Sequence, residues 1–201
     1  MPLASEEKIV ERPQTALEKR ITALQKSPQR LTQAIALIGP GDGDAHLCEA
    51  AHHIAQRLAR CGLAIVCGGR GGVMQAASRG AYEAGGTVIG LLPENDAETA
   101  NAYLTVAIPT GMGEMRNALI ARCSLCLVAI GGGMGTLSEM AFGLKLGKPV
   151  FCLNPEFNLP GAICVATADE AVDRILRFLT VDFHPNLTPS FNSILTPSIA
   201  V

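Results

Sequence analysis

The sequence predicts an α/β fold: a single domain built on a doubly wound, Rossmann-like and mainly parallel sheet with helices on both faces. Short runs that are apolar throughout recur along the chain, as expected of parallel strands covered on both sides. Each run ends at glycine or proline, and a longer stretch of helical character follows it. The 201 residues, 48% of them hydrophobic, suit one compact domain.

The predicted strands and helices alternate along the chain. The strands are 34–38, 63–67, 87–92, 125–130 and 149–153. The helices are 45–60, 72–83, 114–122, 135–146 and 169–179. Ligands of such sheets bind beyond the carboxyl ends of the strands, and the glycine-rich turns lie at those ends.

The two ends of the chain differ from this domain, which we place at residues 31–180. Residues 1–30 hold ten of the 34 charged residues and form a charged helical appendage, whose apolar stripe is Leu17, Ile21 and Leu24. This stripe suits docking on the body of the protein or on a partner subunit. Residues 181–201 contain three prolines and the repeated tetrapeptide Leu-Thr-Pro-Ser, and are predicted to be an extended arm or a disordered tail.

The composition excludes several classes of protein. A formal net charge of -2 argues against nucleic acid as a partner, since such binding depends on clustered Lys and Arg. No apolar run approaches the roughly 18 residues that span a bilayer, and the acidic start of the chain is unlike a secretory signal. We expect a cytoplasmic protein without membrane contact. Seven cysteines, mostly inside apolar segments, are expected to be reduced.

The turn from Gly131 to Thr136 carries the strongest functional signal. Four glycines between a strand and a helix let the backbone approach a ligand closely, and the free amides of a helix start bind anions. We predict that this turn holds a phosphate and that Thr136 adds a hydroxyl donor. The alternative is a capping box between Thr136 and Glu139, which fits the S/T-x-x-E pattern but leaves the glycines unexplained.

Two charged residues are the candidates for chemistry near this turn. Glu139 is the sole carboxylate between Glu114 and Glu156, and it follows the predicted phosphate site by one helical turn. A carboxylate there suits the ribose and the N-glycosidic bond of a nucleotide, because breaking that bond builds positive charge on the sugar. Arg116 is placed to return to the same strand end and offers bidentate donors to a phosphate or a ring. Its alternative role is a surface ion pair with Glu114.

Other glycine turns and clusters give weaker signals. The turns that begin at Gly39 and Gly69 lack the G-x-G-x-x-G dinucleotide fingerprint, although Arg70 adds a charge near the second. The pair Cys123 and Cys126 has redox or zinc spacing but no second pair, and is interpreted as structural. The cluster of His46, Cys48, His52 and His53 is interpreted as ordinary helix surface, so we predict no metal site and no cofactor.

The glycine turns, Arg116 and Glu139 together resemble the Lonely Guy (LOG) family over roughly residues 34–180. Its characterised members are phosphoribohydrolases that split cytokinin nucleoside 5′-monophosphates into free base and ribose 5-phosphate. The resemblance implies that Arg116 and Glu139, 23 residues apart, are catalytic, since they match the family's arginine and the glutamate that ends PGGxGTxxE. It also implies homodimers or higher homo-oligomers. The implied phosphate- and nucleotide-binding residues are Gly39, Gly41, Gly68, Gly69, Gly72, Met74, Gly132, Gly133, Met134, Gly135 and Thr136.

Two residues depart from the pattern of the cytokinin enzymes. Gly131 stands where the motif has proline, and Asn117 follows the arginine where those enzymes usually have lysine. Both features are closer to a LOG-like branch that is similar to the molybdenum cofactor carrier proteins. Two hypotheses therefore remain: an enzyme that hydrolyses nucleoside 5′-monophosphates, which the resemblance favours, and a carrier of a nucleotide-like ligand such as molybdenum cofactor. A third, DNA binding, has the weakest support because the chain is not basic.

Overall fold

A computed structural model describes residues 13–182. In that part of the chain, seven strands form one sheet in which all neighbours are parallel. They are β1 (Ala34–Ile38), β2 (Ile65–Cys67), β3 (Val88–Leu92), β4 (Val106–Pro109), β5 (Ser124–Ile130), β6 (Val150–Leu153) and β7 (Ile163–Val165). Their spatial order is β4-β3-β2-β1-β5-β6-β7, so the predicted doubly wound α/β fold is confirmed.

Helices cover both faces of the sheet. They are α1 (Ala16–Gln25), α2 (Ala45–Arg60), α3 (Gly72–Glu83), α4 (Asn117–Cys123), α5 (Met134–Lys145) and α6 (Ala168–Arg177). Alternate residues of β1 divide between two cores: Ile35 and Leu37 pack with α1, α2, α3 and α6, while Ala36 and Ile38 pack with α4 and α5. Because β1 is buried on both faces, it is apolar throughout, which is why it could be recognised in the sequence.

Three elements differ from the prediction. The edge strands β4 and β7 were missed, although the residues of both are apolar; they have only four and three residues. The predicted helix 114–122 is divided into a 3₁₀ helix, Gly113–Arg116, and α4. The chain enters the 3₁₀ helix through Gly113, whose φ is 56°.

Residues 16–25 of the charged amino-terminal segment form α1, which packs on the body of the protein. Ile21 is fully buried in the main core, and Leu17 and Leu24 pack against that core. Glu18 of α1 also makes a buried ion pair with Arg57 of α2, with Nε and Oε1 2.8 Å apart. Residues 1–12 and most of the predicted tail, 183–201, lie outside the described residues. None of the helices described is both long enough and apolar enough to cross a membrane.

The strand order places a crevice at one point of the sheet. β1 and β5 are neighbours, but the chain leads from β1 towards β2 and from β5 towards β6, on opposite sides of the pair. The connections that follow the two strands therefore diverge. A crevice opens between them at the carboxyl ends, where ligands of doubly wound sheets bind.

Candidate functional site

A cleft of about 470 Å³ occupies this crevice. The turn that follows β1, including Gly39 and Gly41, lines one part of the cleft. The start of α5, including Gly133, Gly135 and Thr136, lines another. Three more of the residues predicted from the sequence also line the cleft: Met74, Arg116 and Glu139. The fold thus brings together residues from four segments that are far apart in the chain.

The turn between β5 and α5 has a conformation that requires glycine. Gly131 has φ 74°, and Gly133 has φ 123°, both in the region that other residues rarely adopt. The amide of Gly131 donates to the carbonyl of Leu153 at 2.9 Å, which ties the turn to β6. A Cβ at Gly133 would meet no atom within 4 Å, so this residue faces open space.

The start of α5 leaves backbone amides available to an anion. Its N-cap is Gly133, and no side chain within the described residues caps it. Leu137 is bonded to the carbonyl of Gly133 at 2.9 Å, so the amides of Met134, Gly135 and Thr136 precede that bond along the helix. Such amides, aligned with the helix dipole, form an anion-binding site.

The capping-box interpretation of Thr136 and Glu139 is wrong. Thr136 lies inside the first turn of α5 and is not its N-cap. Glu139 does not turn back to the helix start, because its carboxylate meets the Arg116 guanidinium, with Nη1 3.3 Å from Oε1. The surface pair of Arg116 with Glu114 is also wrong, since Glu114 lies 3.7 Å from Arg70 instead.

Arg116 and Glu139 form a buried pair at the cleft, with 4% and 5% of their surfaces exposed. Nη1 of Arg116 also donates to Oδ1 of the neighbouring Asn117. Nε of Arg116 is buried and has no hydrogen-bond partner among the described residues. A Cβ at Gly68 would lie 2.5 Å from Nη2, so the absence of a side chain there makes room for the guanidinium.

Burial changes the proton affinity of Glu139. It raises the pKa of the carboxyl from 4.5 to about 8, while Arg116 opposes the change and the Glu114 carboxylate adds to it. Loss of hydration therefore outweighs the single contact with the guanidinium. A carboxyl with this pKa exchanges its proton near neutral pH, as a general acid or base requires.

Several predicted residues do not line the cleft but shape it or lie beside it: Gly68, Gly69, Gly72, Gly132 and Met134. A Cβ at Gly72 would lie 2.5 Å from the carbonyl of Gly41, and one at Gly132 would lie 2.1 Å from Cβ of Glu156. These two glycines let turns pack against each other. Met134 is exposed at the first position of α5. Direct contact of these residues with a ligand stays a prediction.

Other cleft residues were absent from the predicted site. Asp42, Glu114 and Asn117 line the cleft, as does Arg70, which sequence analysis noted without assigning it to the site. Arg70 donates to Glu94, and this hydrogen bond lowers the pKa of the Glu94 carboxyl. The sequence signals were the charge of Arg70 beside a glycine turn and the position of Asn117 next to Arg116.

The histidines and cysteines that sequence analysis left out of the predicted site are also located in the structure. His52 and His53 contact Glu83 and Asp169, respectively, at 2.6 and 2.9 Å. Cys126 is buried in β5, and Cys123 is exposed at the end of α4. Among residues 13–182, no group of three His, Cys, Asp or Glu side chains is arranged to hold a metal ion.

Comparisons with known proteins agree with this geometry. The model of the SLOG cluster4 family matches residues 32–179. An uncharacterized protein of Archaeoglobus fulgidus is 37% identical over 139 residues, 69% of this chain and 91% of that protein. A cytokinin riboside 5′-monophosphate phosphoribohydrolase of Arabidopsis thaliana is 41% identical over 116 residues, 53% of this chain and only 50% of the enzyme. The molybdenum cofactor binding protein of Rippkaea orientalis has a TM-score of 0.71 and 31% identity, over 75% of this chain and 99% of that one.

The fold and the family match define a LOG-like protein of the Rossmann-like class. The chain belongs to the SLOG cluster4 family. The predicted resemblance to LOG proteins and to molybdenum cofactor carriers is thereby confirmed.

Proposed function

We propose that the protein is a phosphoribohydrolase that cleaves the N-glycosidic bond of a purine nucleoside 5′-monophosphate. One observation carries this proposal: the uncapped start of α5 and the buried Arg116–Glu139 pair share one cleft. An anion site and a proton-exchanging carboxyl are the two components that such a reaction needs. The relationship to the phosphoribohydrolase of Arabidopsis thaliana supports the reaction class.

The amides of Met134, Gly135 and Thr136 hold the 5′-phosphate in this proposal. Thr136 is buried and lines the cleft, so its hydroxyl adds a donor. Arg116 lines the cleft, and its guanidinium orients the ligand. With the phosphate at the helix start, the sugar and base extend towards Glu139 and the turn after β1.

Glu139 moves the proton that the reaction requires. Near neutral pH its carboxyl is largely protonated, because burial raises its pKa to about 8. As the bond between C1′ and the base breaks, the base keeps the electron pair and takes the carboxyl proton. The resulting carboxylate stabilises the cationic sugar and then accepts a proton from the water that adds to C1′. One water is consumed, and free base and ribose 5-phosphate are released.

Incubation with AMP and with N6-substituted AMP tests the proposal, with free base and ribose 5-phosphate as the products to be measured. We expect release by the full chain and a loss of about 10²- to 10⁴-fold for Glu139→Gln, since that variant keeps the shape but carries no exchangeable carboxyl proton. AMP binding by Glu139→Gln should persist, because the helix start is untouched. Equal rates in the two proteins would refute the role of Glu139.

A carrier of a nucleotide-like ligand is the second candidate. The structural similarity to the molybdenum cofactor binding protein favours it, as this neighbour covers 75% of the chain. Binding of AMP without release of base would support the carrier. Mass spectrometry of any molecule that copurifies with the protein would identify the ligand directly.

We also propose that the protein forms a homodimer or a higher homo-oligomer. Met115 and Met134 are each 74% exposed, and Phe142 of α5 is 40% exposed, which is unusual for large apolar side chains. Sedimentation equilibrium of the full chain tests the assembly, and a monomer at micromolar concentration would contradict it. A cytoplasmic location remains a prediction that fractionation of the source cells would check.

A further inference from the structure

Asn117 contacts both halves of the site through one buried side chain, of which 3% is exposed. Its Oδ1 accepts a hydrogen bond from Nη1 of Arg116. Its Nδ2 donates to Oγ of Ser138 at 2.9 Å and to the carbonyl of Gly135 at 3.4 Å. The amide therefore links the guanidinium to the start of α5.

The contact with Asn117 also limits how Arg116 meets Glu139. Nη1 of Arg116 donates to both Oδ1 of Asn117 and Oε1 of Glu139, and the distance from Nη1 to Oε1 is 3.3 Å. Nε makes no hydrogen bond within the described part of the chain, and Nη2 rests against Gly68. Strong arginine–carboxylate pairs use two parallel hydrogen bonds, whereas this one uses a single nitrogen.

We propose that Asn117 is a positioning residue that holds the Arg116 guanidinium away from a two-point contact with Glu139 and fixes it to the anion-binding start of α5. The significance of this arrangement for catalysis rests on the proposed function. The geometric part of the inference does not rest on the proposed function, because it concerns only the contacts among Arg116, Asn117 and Glu139.

Burial raises the Glu139 pKa to about 8, and this arrangement limits how far Arg116 lowers it. The charged and titratable groups that act on Glu139 are Arg116 and Glu114, and it also interacts with the buried thiol of Cys67 on β2. Arg116 is the one group that lowers the Glu139 pKa. Any change that lets the guanidinium turn fully towards Glu139 therefore favours the carboxylate.

Two substitutions of Asn117 have opposite expected effects. Asn117→Leu removes the acceptor of Nη1, frees the guanidinium to pair with Glu139, and lowers the carboxyl pKa by on the order of one pH unit or more. Asn117→Asp keeps an acceptor for Arg116 and adds a negative charge beside the pair, which raises the Glu139 pKa. Carbon NMR titration of the Glu139 carboxyl in the ligand-free full chain measures both shifts.

Ser138→Ala is the matched control. It removes one partner of Nδ2 but leaves the contact between Asn117 and Arg116, so the Glu139 pKa should stay within a few tenths of a pH unit. If AMP is hydrolysed, the high-pH limb of the kcat profile should move with the measured pKa: to lower pH for Asn117→Leu and to higher pH for Asn117→Asp. A purely structural role would change the amount of folded protein but would not move that limb.

The titration decides the inference whether or not AMP is a substrate. Shifts of opposite sign in the two variants support it, and shifts of the same sign or no shift overturn it. Should Asn117→Leu fail to fold, Asn117→Ala, which also removes the acceptor of Nη1, takes its place, and a Glu139 pKa that is unchanged or raised in it overturns the inference. Absence of AMP binding and turnover by the unaltered chain would instead refute the proposed function and leave the titration result valid.

Discussion

Glu139→Gln provides a test of the buried carboxyl that needs no ligand. The pKa of this group is about 8 in the folded chain and 4.5 when unperturbed, so the folded chain binds the proton more tightly. The carboxyl therefore stabilises the fold fully below pH 4.5, and this contribution declines as the pH rises to about 8. At about 1.4 kcal/mol for each pH unit, the free energy of unfolding falls by about 5 kcal/mol over that range.

Glutamine resembles the protonated carboxyl in shape but does not titrate. The unaltered chain should therefore lose about 1.4 kcal/mol of unfolding free energy per pH unit between pH 5 and 8, relative to Glu139→Gln. The stability of the variant relative to that of the unaltered chain thus increases as the pH rises. Urea unfolding of both proteins at several pH values measures this slope, and a constant offset from the substitution itself does not affect it. A difference that stays flat would show that Glu139 has an ordinary pKa and would refute the reasoning.

Two further substitutions test the packing around the site and the docking of α1. Gly68→Ala should cost about 1 to 3 kcal/mol of unfolding free energy and impair AMP binding or turnover, because its Cβ would lie 2.5 Å from Nη2 of Arg116. Gly71→Ala is the control, since its Cβ would approach no atom closer than 3.4 Å, and similar losses in both variants would contradict the proposed contact. Arg57→Met should destabilise the chain by about 3 to 5 kcal/mol in urea unfolding, because it leaves Glu18 buried without its guanidinium partner. Adding Glu18→Leu should recover part of that loss, and a further loss of stability would show that the pair is not the cause.

The strands that the sequence revealed are those buried on both faces. The run from Leu125 to Ile130 is apolar at every position, and the structure places it at the centre of the sheet as part of β5. The residues of β4 and β7 are apolar as well, but these edge strands have only four and three residues, and β4 is exposed along its whole length. A short apolar run does not by itself distinguish a strand from another buried segment, so the sequence identified the interior strands and not these two.

The glycine turn before α5 was also readable from the sequence, whereas its surroundings were not. Glycine at Gly131 and Gly133 signals backbone angles that other residues rarely adopt, and this is a local property of the chain. The role of Gly68 depends on Arg116, 48 positions later, and that of Gly132 depends on Glu156. Contacts of this kind follow from the order of the strands, which local patterns do not specify.

The amino-acid sequence by itself determined the alternation of buried strands and helices, the glycine turn before α5, and the identity of the two charged residues at the site. These are set by hydrophobic pattern and by backbone conformation, which act between near neighbours in the chain. Only the tertiary structure decided that Glu139 is buried against Arg116, that burial raises the pKa of its carboxyl, and that Asn117 joins this pair to the helix start. Hydration and charge act through space, so they depend on which distant segments the fold brings together.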